Sequence, residues 1–183
     1  MFQDVSNFLF VKTLESNWLE IQQEALNLRS NDYHPWGEKH LYNNDGWDVF
    51  ILYYAGKKID KNCAACPKTA KLLDNVPYMV TAGFSLLRPD TYIEPHQGFS
   101  TPVLRCHLGL VVPQSCGIRV LDQTRQWEEG KCLIFDDASE HEAWNKGNSI
   151  RIILLVDFLK PGTTVSQEEL SLIEVGFKIG LNL

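Results

Sequence analysis

Five histidines punctuate the chain, and two of them stand where chemistry is easily built. His96 follows a proline and precedes Gln97-Gly98, and His141 follows Phe135-Asp136-Asp137-Ala138-Ser139-Glu140. Both positions fall where an apolar segment runs into turn residues, and binding groups concentrate where a rigid sheet presents its loops. Ten residues after His141 comes Arg151, inside Ile150-Arg151-Ile152-Ile153-Leu154-Leu155-Val156-Asp157. A cation in so apolar a run is expected near the core, where a guanidinium without an anion is costly. Two readings are open for it. One is an internal ion pair with Asp136, Asp137 or Asp157; the other is a carboxylate or phosphate ligand gripped through two N–H groups. A metal on His96 and His141 with a carboxylate on Arg151 is the chemistry these types support together. Imidazole suits iron, and oxygenases built on two histidines and a carboxylate keep coordination positions open.

A third line comes from strand alternation. In Leu104-Arg105-Cys106-His107-Leu108-Gly109-Leu110 the apolar Leu104, Cys106, Leu108 and Leu110 share one face. Arg105 and His107 share the other, about 6.6 Å apart at strand rise. Such a pair needs a partner, either solvent or a ligand.

The elements that must position these residues change character along the chain. Leu14, Trp18, Ile21, Ala25 and Leu28 recur at helical spacing, with Ser16 or Asn17 as a cap at the start. Residues 48–54 read as a first strand, and 68–74 as a short helix with Pro67 at its first position. From about residue 78, short apolar segments follow one another at 79–87, 92–94, 104–112, 117–121, 132–135 and 150–158. Pro89-Asp90, Gln97-Gly98, Pro113, Glu129-Gly130 and Lys146-Gly147 separate them. So many strands in about 80 residues predict a sandwich or barrel of the jelly-roll or cupin type. The expected fold is mainly β with a helical N-terminal layer, about 1–75, over a jelly-roll core, about 76–160. Residues 167–173 read as a last helix. With no internal repeat or linker, one domain is expected across 1–183.

Bulk properties exclude several classes. A chain of 183 residues with 44% hydrophobic and 22% charged content is an ordinary globular composition. A net charge of −6 argues against electrostatic capture of nucleic acid. Residues 1–10 lack the basic start of a secretory signal, and no apolar run approaches a membrane span, so a cytoplasmic protein is expected. Five cysteines, an odd number, argue against a disulfide framework. Cys63-Ala-Ala-Cys66 has the spacing of a zinc half-site or redox motif without a second half, and reads as a turn ahead of a helix. The five tryptophans read as packing residues, with Trp36 and Trp47 able to line an entrance.

Taken together, Pro95-His96-Gln97-Gly98, the strand 104–110, Trp127-Glu128-Glu129-Gly130-Lys131, Phe135-Asp136-Asp137, His141-Glu142-Ala143-Trp144-Asn145 and Arg151 resemble the aspartyl/asparaginyl β-hydroxylases. These are iron(II)- and 2-oxoglutarate-dependent oxygenases with a double-stranded β-helix (jelly-roll) fold. The likeness runs from about Cys66 to Pro161. It implies iron(II) on His96 and His141, and the far carboxylate of 2-oxoglutarate on Arg151 with Ser85 beside it. Arg105 and His107 would complete the co-substrate pocket. Most 2-oxoglutarate oxygenases carry a metal-binding carboxylate two residues after the first histidine; here that residue is Gly98, as in the branch this chain resembles. Water would fill the vacant position, held by an acid behind it, and Asp90, Asp136 and Asp137 are the candidates.

The implied reaction consumes O2, releases succinate and CO2, and hydroxylates an unactivated C–H bond. Two positions where relatives acting on acidic side chains place basic groups hold Gly83 and Val103. The expected substrate is therefore a free amino acid, a small peptide or a peptidyl natural product. The repeat domain and membrane anchor of animal members are not expected. Two other readings compete: a cupin-type metal enzyme that does not use 2-oxoglutarate, and a non-catalytic sensor that keeps the pocket.

Overall fold

The computed structural model describes residues 1–98 and 102–163. The helix expected at 167–173 lies outside the described residues. Where alternation or an apolar run marked a strand, a strand is found, and the chain lays them down in two sheets. The large sheet runs in the order β1 (Phe2–Gln3), β10 (Cys132–Asp136), β7 (Val103–Val111), β12 (Arg151–Leu159), β5 (Met79–Leu87), β3 (Trp47–Tyr54) and β2 (His34–Pro35), with the short β4 (Lys57–Lys58) paired to β3. The small sheet is β6 (Thr91–His96), β11 (His141–Asn145), β8 (Cys116–Val120) and β9 (Gln123–Arg125). Every pairing between these strands is antiparallel. Two facing antiparallel sheets that exchange consecutive strands form a double-stranded β-helix.

Both faces of the large sheet are buried, which is why its strands read as nearly continuous apolar runs. On β12, Ile152, Leu154, Val156 and Phe158 pack on one side with Phe10, Leu14 and Ile21 from the N-terminal helices. Ile153 and Leu155 point the other way, into a core shared with Ile93, Ile118, Val120 and Ala143 of the small sheet. Arg151 and Asp157 have the same parity as Ile153 and Leu155. The alternation thus carries Arg151 into the space between the sheets.

The helical layer is α1 (Leu9–Ser16), α2 (Trp18–Asn27), α3 (Asp60–Ala65) and α4 (Pro67–Leu73). Asn17 divides the first two. Its backbone leaves the helical region at φ −113 and ψ 14, and its side-chain amide donates to the Thr13 carbonyl at 2.8 Å. Asn17 therefore stands at the N-cap position of α2, but its side chain satisfies the end of α1.

The helical layer is joined by strands of the same segment: β3 pairs with β5 from Trp47 to Tyr53, and β1 closes the other edge against β10. One expectation needs correction. Residues 60–65 form a helix rather than a turn. All five cysteines are free and buried; the Cys63 thiol donates to the Leu52 carbonyl at 3.2 Å, and burial pushes the Cys66 thiol up to about 12. Burial likewise raises Cys63 and Cys116, and a hydrogen bond with Cys132 together with burial raises Cys106, so the Cys63–Cys66 pair reads as packing thiols. Among the described residues no helix is long and apolar enough to cross a membrane.

Candidate active site

The small sheet places the two histidines. β11 and β6 run antiparallel with His141 directly opposite His96, and the ring centroids are 4.2 Å apart. Each ring is turned by its own strand. His96 Nδ1 lies 2.7 Å from the Glu94 carbonyl, and His141 Nδ1 lies 2.8 Å from the Ser139 carbonyl. A carbonyl only accepts, so Nδ1 carries the proton in both rings and each Nε2 keeps its lone pair for a metal. Burial lowers the pKa of both, His141 the more strongly, which holds the neutral, ligating form.

The large sheet supplies the opposite wall. Ser85, Arg105, His107, Arg151, Ile153 and Leu155 line one cavity together with His96 and His141. Ser85 on β5 faces Ile153 of β12, so Ser85 and Arg151 are diagonal neighbours on one face. Every residue expected at the site therefore arrives there. Arg151 is 2% exposed, and among the described residues no carboxylate pairs with it. Its Nε has no hydrogen-bond partner; its guanidinium carbon lies 4.8 Å from the centroid of the Trp127 ring. Burial pulls its pKa below the usual guanidinium range, the condition of a cation lacking its anion.

The internal ion pair considered for Arg151 belongs to Arg105 instead. Arg105 and Asp157 are directly paired across β7 and β12, and the contact is bidentate, with Nε 2.7 Å and Nη2 3.0 Å from the two carboxylate oxygens. The third nitrogen, Nη1, lies 2.8 Å from Asp137 Oδ1. With Nε and Nη2 on Asp157 and Nη1 beside Asp137, Arg105 is fixed in the cavity wall next to His107, where the resemblance expected the two to complete the pocket. Asp136 pairs with Lys160 at 2.8 Å, on the outer side.

Asp137 stands beside Gly98. A Cβ placed on Gly98 would lie 1.8 Å from Asp137 Oδ2, so the carboxylate occupies the volume that a side chain two residues after His96 would fill. The Gly98 N–H donates to the Asp137 carbonyl at 2.8 Å and locks the two segments together. Asp137 Oδ1 is 3.8 Å from His141 Nε2, and although Arg105 is close, the angle leaves that oxygen without a hydrogen bond. Of the three acids considered, Asp137 is the one at the histidine pair. Asp90 sits in a turn at φ 58, where its carbonyl accepts from Asn43 and Asn44.

Among the described residues, four buried side-chain polar atoms make no hydrogen bond, and three belong here: Arg151 Nε, His107 Nε2 and Asp137 Oδ1, the last in an ion pair with Arg105 Nη1 at 2.8 Å. Buried polar groups are normally satisfied, so two unpartnered nitrogens in one cavity suit a polar ligand. No group of three or more His, Cys, Asp or Glu side chains among the described residues forms a metal cage by itself.

Two tryptophans line the cavity: Trp47, one of the pair expected able to line an entrance, and Trp127, read as packing alone. Trp47 donates its Nε1–H to Ser85 Oγ at 3.0 Å and stacks on Trp36 at 4.6 Å, and Trp127 covers Arg151. For Trp47 the signal was available, since it opens a strand adjacent to that of Ser85. Trp127 lies in the segment between β9 and β10, where periodicity says nothing.

A model of the aspartyl/asparaginyl beta-hydroxylase family matches residues 15–161. The chain belongs to that family. Among its relatives is the mouse aspartyl/asparaginyl beta-hydroxylase, 38% identical over 167 residues, which covers 86% of this chain and 22% of that protein. Another is an ornithine lipid ester-linked acyl 2-hydroxylase of Rhizobium tropici, 36% identical over 168 residues, covering 86% of this chain and 60% of that protein. This family member therefore spans about a fifth to three fifths of the length of these two relatives. A cupin domain from Schizosaccharomyces pombe aligns at a TM-score of 0.44 and 10% identity over 62% of this chain and 65% of that one, too distant to bear on chemistry.

Proposed function

We propose that this chain is an iron(II)- and 2-oxoglutarate-dependent hydroxylase. The observation that carries the reading is Arg151: a buried guanidinium without an anion, in the same cavity as two histidines that both present a bare Nε2. The donor set fits the missing groups. His96 and His141 would hold iron(II) through Nε2, and Asp137 would hold a metal-bound water in the position where other oxygenases use a direct carboxylate. Arg151 and Ser85 would take the far carboxylate of 2-oxoglutarate, and His107 a second acceptor on the same molecule. The chemistry that bound iron and 2-oxoglutarate supply is oxidative decarboxylation to succinate and CO2 coupled to hydroxylation of an unactivated C–H bond by O2.

The chain's own residues bind, orient and exclude water. Trp47, Trp127, Ile118 and Ile153 surround the polar groups with apolar surface, which strengthens each charge contact inside. The Arg105–Asp157 pair holds the Asp137 carboxylate from behind, so the acid does not reorganise when the site loads.

The substrate class we propose is an amino acid or a molecule carrying one. The family relatives named above act, by their names, on aspartyl or asparaginyl residues and on the acyl group of an ornithine lipid. Gly83 and Val103 offer no cation for a free side-chain carboxylate, which favours a neutral or cationic group next to the reacting carbon.

The test is anaerobic titration with Fe(II) and 2-oxoglutarate, following the visible charge-transfer band of the chelate, with His141→Ala and Arg151→Ala as controls. A band in the wild type, lost or weakened in both variants, supports the reading. Iron binding without a band removes 2-oxoglutarate and leaves a cupin-type metal enzyme or a sensor. Succinate release against amino acids, peptides and an ornithine lipid then addresses the substrate.

A further inference from the structure

Trp127 touches Arg151 and His107, both of which line the cavity. Its residue is 3% exposed, its ring stands 4.8 Å from the guanidinium carbon of Arg151, and its Nε1 lies 3.3 Å from His107 Nδ1. The two residues it touches hold two of the orphaned atoms, Arg151 Nε and His107 Nε2.

The chemistry of the indole decides what His107 can do. An indole N–H donates and never accepts. His107 Nδ1 must then be the acceptor, and a neutral imidazole that accepts at Nδ1 carries its proton at Nε2. Without that contact no described neighbour selects a tautomer, since the other nitrogen makes no hydrogen bond. With it, the cavity gains a fixed N–H donor close to a guanidinium whose charge no protein carboxylate neutralises. The same indole covers one face of that guanidinium. The cation is stabilised by the ring quadrupole, while its in-plane N–H edge stays available to a planar carboxylate.

We propose that Trp127 is a positioning residue for the anionic co-substrate: its N–H locks His107 as an Nε2–H donor, and its ring holds the Arg151 guanidinium so that both donate to one bound anion. The proposal rests on the reading that the cavity takes 2-oxoglutarate, but its first half does not depend on any ligand. Trp127→Phe separates the two contributions, because it keeps a ring over Arg151 and removes the donor. Trp127→Leu removes both.

The experiment has two arms. The first records nitrogen-15 NMR of the His107 ring in the metal-free protein without ligand. The expected result is the Nε2–H tautomer in the wild type and a mixture or the Nδ1–H form in Trp127→Phe. A wild-type ring protonated at Nδ1, or at both nitrogens, overturns the proposal even if the variants fail to fold. The second arm measures 2-oxoglutarate affinity by calorimetry with Mn(II) in place of iron. Loss of one neutral hydrogen bond predicts roughly a fivefold weakening in Trp127→Phe. Loss of the cation–π contact as well predicts a further several-fold in Trp127→Leu. Mn(II) affinity itself should stay within about twofold, since neither His96 nor His141 meets the indole. Unchanged 2-oxoglutarate affinity in Trp127→Phe overturns the proposal. If the wild type binds no 2-oxoglutarate, the co-substrate assignment falls, and the tautomer in the first arm alone upholds or removes the lock.

Discussion

Replacing Gly98 by alanine tests the placement of Asp137 most directly. The new Cβ would sit 1.8 Å from Asp137 Oδ2, 2.3 Å from its Cγ and 2.9 Å from its carbonyl oxygen. None of these atoms is the free end of a flexible side chain. The carbonyl is held by the Gly98 N–H, and the carboxylate is buried against Arg105 at 2.8 Å. One methyl group therefore forces either the backbone or the ion contact to give. Overpacking of this kind costs roughly 1–3 kcal/mol. Turning Asp137 away from Arg105 adds on the order of 1 kcal/mol, because a buried charge loses part of its partner. The sum is about 2–4 kcal/mol, equivalent to a drop of roughly 5–15 °C in melting temperature for a chain of this size. Circular dichroism melting of the metal-free protein measures it. Adding Asp137→Gly to Gly98→Ala removes the clash, so the double variant should be more stable than the sum of the singles by about 0.5–3 kcal/mol. A Gly98→Ala protein that melts within about 1 °C of the wild type would refute the reasoning, since the carboxylate could not then occupy the space beside Gly98.

Three further outcomes follow from the same geometry. Arg151→Met should leave the ligand-free fold as stable or more stable, by up to about 2 kcal/mol, because it removes a buried cation with no carboxylate partner; calorimetry should show 2-oxoglutarate binding weakened at least about 100-fold, the loss of two charged hydrogen bonds. Asn145→Ala should cost about 3 kcal/mol or more in urea unfolding, because the fully buried amide donates to the carbonyls of Leu87, Arg88 and Ser149 while its oxygen accepts from the Gly147 N–H. The last concerns pH. Burial lowers His96, His107 and His141, with the cations Arg105 and Arg151 and the neighbouring histidines adding to the effect on one or another of the three, and Asp137 and Glu38 opposing it at His96. Their folded values lie below the unfolded value of about 6.5, so the unfolded chain takes up protons first as pH falls. Metal-free stability is then full above about pH 6.5 and is lost below it, with a slope approaching two to three protons, roughly 3–4 kcal/mol per pH unit. Urea midpoints that stay level from about pH 8 to pH 5.5 would contradict the burial of these rings in neutral form.

Strand alternation made much of this legible in the sequence. Because side chains change face at every residue, Arg105 and His107 had to share a side opposite Leu104, Cys106 and Leu108, and β12 had to send Arg151 and Ile153 the same way. Periodicity and turn residues likewise placed most strands to within a residue or two. Local rules reached their limit at β11, where His-Glu-Ala-Trp-Asn carries little apolar signal and becomes a strand through pairing with β6 and β8.

The chain alone determined the residue types and the face each would occupy, since those depend on neighbours a few positions away. Partner choice was decided only by the tertiary structure. Asp157 was one of three possible anions for Arg151 until the β7–β12 register set it opposite Arg105, leaving Arg151 without a carboxylate among the described residues. Asp136 and Asp137 are adjacent in sequence, yet one ends β10 against Lys160 while the other turns inward to the gap at Gly98. Trp127 meets Arg151 and His107 from a segment with no periodicity at all. Each of these contacts joins residues at least twenty positions apart. Register and sheet packing fix such distances, and no local pattern encodes them.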